Sequence, residues 1–180
     1  TYTTYPTITG EPAGLSFNPN NGHLFFTDDD NIRPLIEVSP GPDKEFLSAD
    51  DTFTTFSLRD SDAYGNQDPE GVEYVRLNGI DTVFILDGLN SQLYVAQPGP
   101  DGIFNGIDDI VSDYDTESQG VEDPEGIAYH PGSGTLFLIG KPPTRVAELS
   151  ITGQLIRFVD ISAANADKPA GLAFGPGSNN

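Results

Sequence analysis

The chain has 180 residues and carries 8 Lys and Arg against 28 Asp and Glu, a formal net charge of −20. That charge repels nucleic acid and anionic membrane surfaces and makes divalent cations natural partners. Cys is absent and His occurs only twice, which excludes disulfides, thiolate metal sites and cysteine nucleophiles and leaves little scope for a multi-histidine centre.

No apolar run reaches membrane-spanning length, so no insertion into a bilayer is expected. The first residue is Thr1, with neither Met nor a charged-then-apolar leader, which reads as a mature form, a processed form or a fragment. With 20 Gly, 15 Pro, 11 Phe and 7 Tyr, the composition suits many short strands divided by turns.

Taken in order, Tyr2-Thr3-Thr4-Tyr5 resembles Phe53-Thr54-Thr55-Phe56 further on and reads as the last strand of a unit whose earlier strands are missing. Next comes Glu11-Pro12-Ala13-Gly14, the first of four copies of one element. The others are Asp68-Pro69-Glu70-Gly71, Asp123-Pro124-Glu125-Gly126 and Lys168-Pro169-Ala170-Gly171. Each opens an apolar strand: Leu15 to Phe17, Val72 to Tyr74, Ile127 to Tyr129 and Leu172 to Phe174.

A turn and a denser strand follow the first three copies, at Leu24 to Thr27, Val83 to Leu86 and Leu136 to Ile139. Third strands are expected at Leu35 to Ser39, Leu93 to Gln97 and Val146 to Ser150. Fourth strands are expected at Thr52 to Ser57, Ile110 to Tyr114 and Leu155 to Asp160. Four strands per unit of roughly 45–57 residues is the arithmetic of a β-propeller blade, and blades must stack around an axis to bury both faces.

The expected fold is therefore all-β, a β-propeller with blades at 10–60, 67–117 and 122–162 and orphan strands at 1–8 and 169–176. The two orphans supply only the last and first strands of a fourth blade. Such a ring is either part of a longer polypeptide or completed by another copy.

Between the third and fourth strands of the first two units lies an insertion that aligns without a gap. Residues 40–51 and 98–109 share the frame P-G-P-D-x-x-F-x-x-x-D-D. Ca²⁺ takes oxygens from carboxylates and carbonyls. Asp43, Asp50 and Asp51 in one loop, and Asp101, Asp108 and Asp109 in the other, are candidate ligands, with Phe46 or Phe104 anchoring the loop. The alternative is a decorated hairpin that uses Asp for its turn propensity.

Glu70 and Glu125 occupy equivalent places before the innermost strand, near the mouth of the central channel. They are candidate metal ligands, and a metal there could activate water. They could instead cap backbone amides at the strand entry. Asp28-Asp29-Asp30 and the acidic stretch from Asp113 to Asp123 read as solvated rim, and His23 and His130 as surface or turn residues. No nucleophile elbow, phosphate loop or zinc-protease motif is present.

The run Asp123-Pro124-Glu125-Gly126-Ile127-Ala128-Tyr129, followed by Gly134 to Ile139, resembles the blade signature of the NHL, SMP-30/gluconolactonase and SdiA-regulated propellers. The P-G-P-D frame resembles repeats of large secreted bacterial, notably cyanobacterial, proteins of the haemolysin-type calcium-binding class. The first resemblance implies a Glu such as Glu70 or Glu125 holding a divalent metal. The second implies an extracellular or cell-surface protein.

The function expected is thus a secreted calcium-binding propeller with a structural, adhesive or ligand-binding role. A metal-dependent hydrolase, lactonase or phytase-like, is the alternative.

Overall fold

The structure is a computed structural model and describes residues 10–30 and 33–175. It holds twelve strands in three four-stranded antiparallel sheets, each following chain order from one edge to the other. The first blade comprises β1 (Pro12–Asn18), β2 (His23–Asp28), β3 (Pro34–Ser39) and β4 (Thr52–Ser57). The second comprises β5 (Pro69–Leu77), β6 (Ile80–Asp87), β7 (Gln92–Gln97) and β8 (Ile110–Asp115). The third comprises β9 (Glu122–His130), β10 (Thr135–Lys141), β11 (Arg145–Leu149) and β12 (Leu155–Asp160).

Local chemistry explains the hairpins. The β5–β6 hairpin pairs Leu77 with Ile80 across Asn78-Gly79, with φ of 51° and 85°. Positive φ at both turn residues matches the right-handed twist of the flanking strands, and Asn-Gly adopts it at least cost.

Stacking of the blades buries two cores. Between the first and second blades lie Phe25, Leu35 and Leu58 with Val72, Tyr74, Val83, Ile85 and Phe104. Between the second and third lie Phe84, Leu86 and Leu93 with Ile127, Leu136, Leu138 and Leu149. Alternation along each strand therefore sends one set of side chains to the preceding blade and the other to the following one.

Val72 and Tyr74 face the first blade and are 3% and 6% exposed. Leu15 and Phe17, their equivalents in the first blade, are 60% and 51% exposed. The leading face of the first blade thus lacks the cover, among the described residues, that each later blade receives.

The expected strand at residues 1–8 lies outside the described residues. The one expected at 169–176 is not a strand over the described part, 169–175. No second strand is present among the described residues to pair with it. It nonetheless lies where a further innermost strand belongs, with Phe174 packed on Phe137 and His130 at ring-centroid distances of 4.9 and 4.7 Å. No helix among the described residues is long and apolar enough to cross a membrane.

Candidate functional site

The four repeated elements meet around the axis, the first three through their glycines. A Cβ on Gly14 would stand 2.6 Å from the Glu70 carbonyl oxygen, on Gly71 2.9 Å from that of Glu125, and on Gly126 2.6 Å from that of Ala170. Only a residue without a side chain allows each innermost strand to approach the next so closely.

In the first two blades the entry to the innermost strand is held by a buried aspartate at the end of the neighbouring strand. Asp28 Oδ2 accepts the Gly10 and Glu11 amides at 2.7 and 3.1 Å, and Asp87 Oδ2 accepts the Gln67 amide at 2.9 Å. Asp28 is therefore not a solvated rim residue. It is 2% exposed and works as a backbone acceptor.

This arrangement delivers carboxylates from two blades to one place. Asp29 follows β2, while Asp68 and Glu70 flank Pro69 at the start of the second blade. One oxygen from each lies within 4.8 Å of the others. Oxygens bound to one Ca²⁺ at about 2.3–2.6 Å can be no further apart than about 5 Å, so the three can share a hard cation.

Asp29 Oδ1 is buried without a hydrogen bond and lies 3.4 Å from Arg33 Nε. Burial, then the charges of Glu125, Asp68, Asp29 and Asp123, push Glu70 up to about 8. Burial and the adjoining Asp29 push Asp68 up to about 6, against the pull of Arg33. Glu125 is also raised, by burial and by Asp123, against Lys141 and Lys168. Carboxylates resist ionisation where their charges converge without enough compensation.

Comparison of the blades shows what is missing. Strand register makes Asp29, Gly88 and Lys141 equivalent, each directly after the residue aligned with Asp28, Asp87 and Gly140. In the third blade the Lys141 ammonium pairs with Asp123. In the second blade the position is Gly88, where a Cβ would lie 2.8 Å from Asp68 Oδ2, 3.1 Å from Asp123 Oδ1 and 3.3 Å from Glu70 Cγ. The side chain that brings a cation in one blade is absent where the carboxylates are densest.

Asp123 itself sits at φ 46°, a left-handed conformation that Asp tolerates better than most residues and one that is disfavoured before proline.

Of the residues singled out in the sequence, Glu70 thus lies in the axial cluster, and Glu125 lies beside it. Asp29, Asp68 and Asp123 join them; the sequence reads Asp29 and Asp123 as rim, and Asp68 only as the first residue of a repeat element. Glu11 is exposed.

The two P-G-P-D loops fold alike. The Glu45 and Ile103 amides donate to Asp43 Oδ1 and Asp101 Oδ1 at 2.8 and 2.9 Å, and the Ser48 and Gly106 amides to Asp51 Oδ2 and Asp109 Oδ2 at 3.2 and 2.9 Å. Asp50 accepts the Ser48 hydroxyl, and Asp109 also accepts the Tyr64 hydroxyl at 2.8 Å. These aspartates organise their own hairpins, while Asp108 Oδ1 and Asp109 Oδ1 remain buried without a partner. Phe104 anchors its loop in the core between blades, edge-on to Phe25 at 5.6 Å, and Phe46 is half-buried.

His23 Nδ1 contacts Glu37 Oε1, and His130 Nδ1 contacts Ser133 Oγ, each at 2.7 Å.

No family model matches the chain, and no curated protein matches it. Solved structures do. A chain of a nidogen/laminin complex is 22% identical, with a TM-score of 0.63 over 91% of this chain and 52% of its own. A functionally unknown protein from Desulfotomaculum acetoxidans is 14% identical, with a TM-score of 0.53 over 83% of this chain and 42% of its own. The chain therefore spans about half the length of these structures. At such identities the likeness is one of fold, a β-propeller.

Proposed function

We propose that the chain is a calcium-binding β-propeller module of an extracellular or cell-surface protein, with a divalent cation held at its axial mouth by Asp29, Asp68 and Glu70. The carrying observation is the convergence of these three carboxylates, two of which, Asp68 and Glu70, stand against Gly88, where the third blade supplies an ammonium and the second supplies nothing. Oxygen-only donors suit a hard cation, and free Ca²⁺ is abundant outside cells. The resemblance to NHL and SMP-30 blades, with a metal-holding Glu before an innermost strand, supports the same placement. The unpartnered oxygens of Asp108 and Asp109 make the second P-G-P-D loop a further, weaker place for Ca²⁺.

Thermal unfolding in EDTA, then with added Ca²⁺ and with Mg²⁺ as control, tests this reading. Ca²⁺ at 100 Kd stabilises by about 2.7 kcal/mol. Glu70→Gln with Asp29→Asn removes that gain. A melting temperature indifferent to Ca²⁺ rejects the reading.

A metal-dependent hydrolase is the second reading, favoured by the cavities that open beside the cluster and are walled by Asp68, Asp123 and Glu125. Turnover of a lactone or phosphate ester that disappears in Glu70→Gln would support it.

A further inference from the structure

Beside the acidic cluster, between the third blade and the fourth repeat element, lies a cavity of ≈ 550 Å³. Its charged walls are Asp123, Glu125, Asp167, Lys141 and Lys168, and Pro143 and Ala170 supply apolar surface. Two of the eight basic residues of a strongly acidic chain converge here.

They are not equally engaged. Lys141 is paired with Asp123, whereas Lys168 and Glu125 take no part in the ion pairs found among the described residues. The Lys168 charge nevertheless acts on Glu125. Opposite charges thus face one cavity and attract each other without closing on each other.

We propose that this cavity binds a compact zwitterion of the amino-acid class. Its carboxylate is received by Lys168, its ammonium by Glu125, and its side chain rests on Pro143 and Ala170. A simple anion meets the repulsion of Asp123, Glu125 and Asp167, and a simple cation that of the lysines. Only a ligand carrying both charges satisfies both walls. The volume lies within the range of small-molecule sites. This site does not require the neighbouring cation.

Saturation-transfer NMR on the whole chain tests it, using leucine and proline as probes, with acetyl-leucine and leucinamide as singly charged controls. Saturable transfer to the zwitterions but not to the controls is expected. Lys168→Gln, an exposed substitution, should weaken it at least tenfold, and Lys168→Arg should restore most of it. No saturable transfer overturns the proposal. So does equal transfer to acetyl-leucine, or unchanged affinity in Lys168→Gln.

Discussion

The Tyr74 amide donates to Ser16 Oγ at 2.8 Å, joining one innermost strand to the next. Glu73, the residue equivalent to Ser16, repeats the device one blade on. Its Oε1 accepts the Tyr129 amide at 3.0 Å, and its Oε2 accepts the Ser16 hydroxyl at 3.2 Å. Glu73 thus ties three blades together. Glu73→Ala should destabilise the fold by about 1–3 kcal/mol, because it strands the Tyr129 amide. Glu73→Gln keeps an acceptor and should cost less.

Burial raises the Glu73 carboxyl above its ordinary range. Its contribution is therefore full below about pH 4.5 and declines as pH rises through its folded value. Glu73→Gln should flatten that part of the pH dependence, as urea titrations at pH 4, 6 and 8 would show.

The axial carboxylates should give the metal-free protein a pH dependence of the same sign. Glu70 rises to about 8 and Asp68 to about 6. Both favour the folded state while protonated, so stability in EDTA should fall between pH 3.8, where Asp68 begins to ionise in the unfolded chain, and about pH 8. Ca²⁺ binding requires both ionised, so it should tighten over that interval and release protons. Calorimetry at pH 6.5 in buffers of different ionisation enthalpy would read the release as a buffer-dependent heat. A buffer-independent heat would place the ion elsewhere.

Gly88→Lys places in the second blade the ammonium that Lys141 gives the third. The atoms nearest the new Cβ all belong to acidic side chains, two of them carboxylate oxygens, which can shift. The metal-free variant should melt higher than the parent in EDTA and gain little from Ca²⁺. An undiminished Ca²⁺ response would mean that the cation does not use Asp68 and Glu70.

Phe104→Ala should cost about 3–5 kcal/mol, because the ring is 5% exposed and closes on Phe25, itself stacked on Tyr74 at 5.8 Å. Phe46→Ala, in the matching loop, should cost less in the isolated chain, since no preceding blade covers it among the described residues. Equal losses in denaturant midpoint would show that Phe46 is covered after all.

The blades were legible because their signals are local. The Pro-Glu/Ala-Gly elements, the alternation after them and the turns each occupy a few residues. The cluster was half legible. Glu70 and Glu125 stand out in an aligned repeat, but Asp29 belongs to one blade and Asp68 to the next, and only stacking brings them together.

An acidic run such as Asp28-Asp29-Asp30 reads as solvated until burial shows that its first member binds backbone and its second faces the axis. The usable signal was the set Asp29, Gly88 and Lys141, one position carrying an acid, nothing and a base in successive blades. The loop aspartates stand out in the sequence as a repeated device, and much of their hydrogen bonding goes to holding the hairpins.

The glycine contacts at Gly14, Gly71 and Gly126 set the spacing of the hub by main chain against main chain. No side-chain atom of the acidic cluster is among the nearest neighbours of these three glycines. Its charges can be exchanged, blade by blade, while the architecture stays as it is. The axial chemistry is then free to diverge under selection within one unchanged frame.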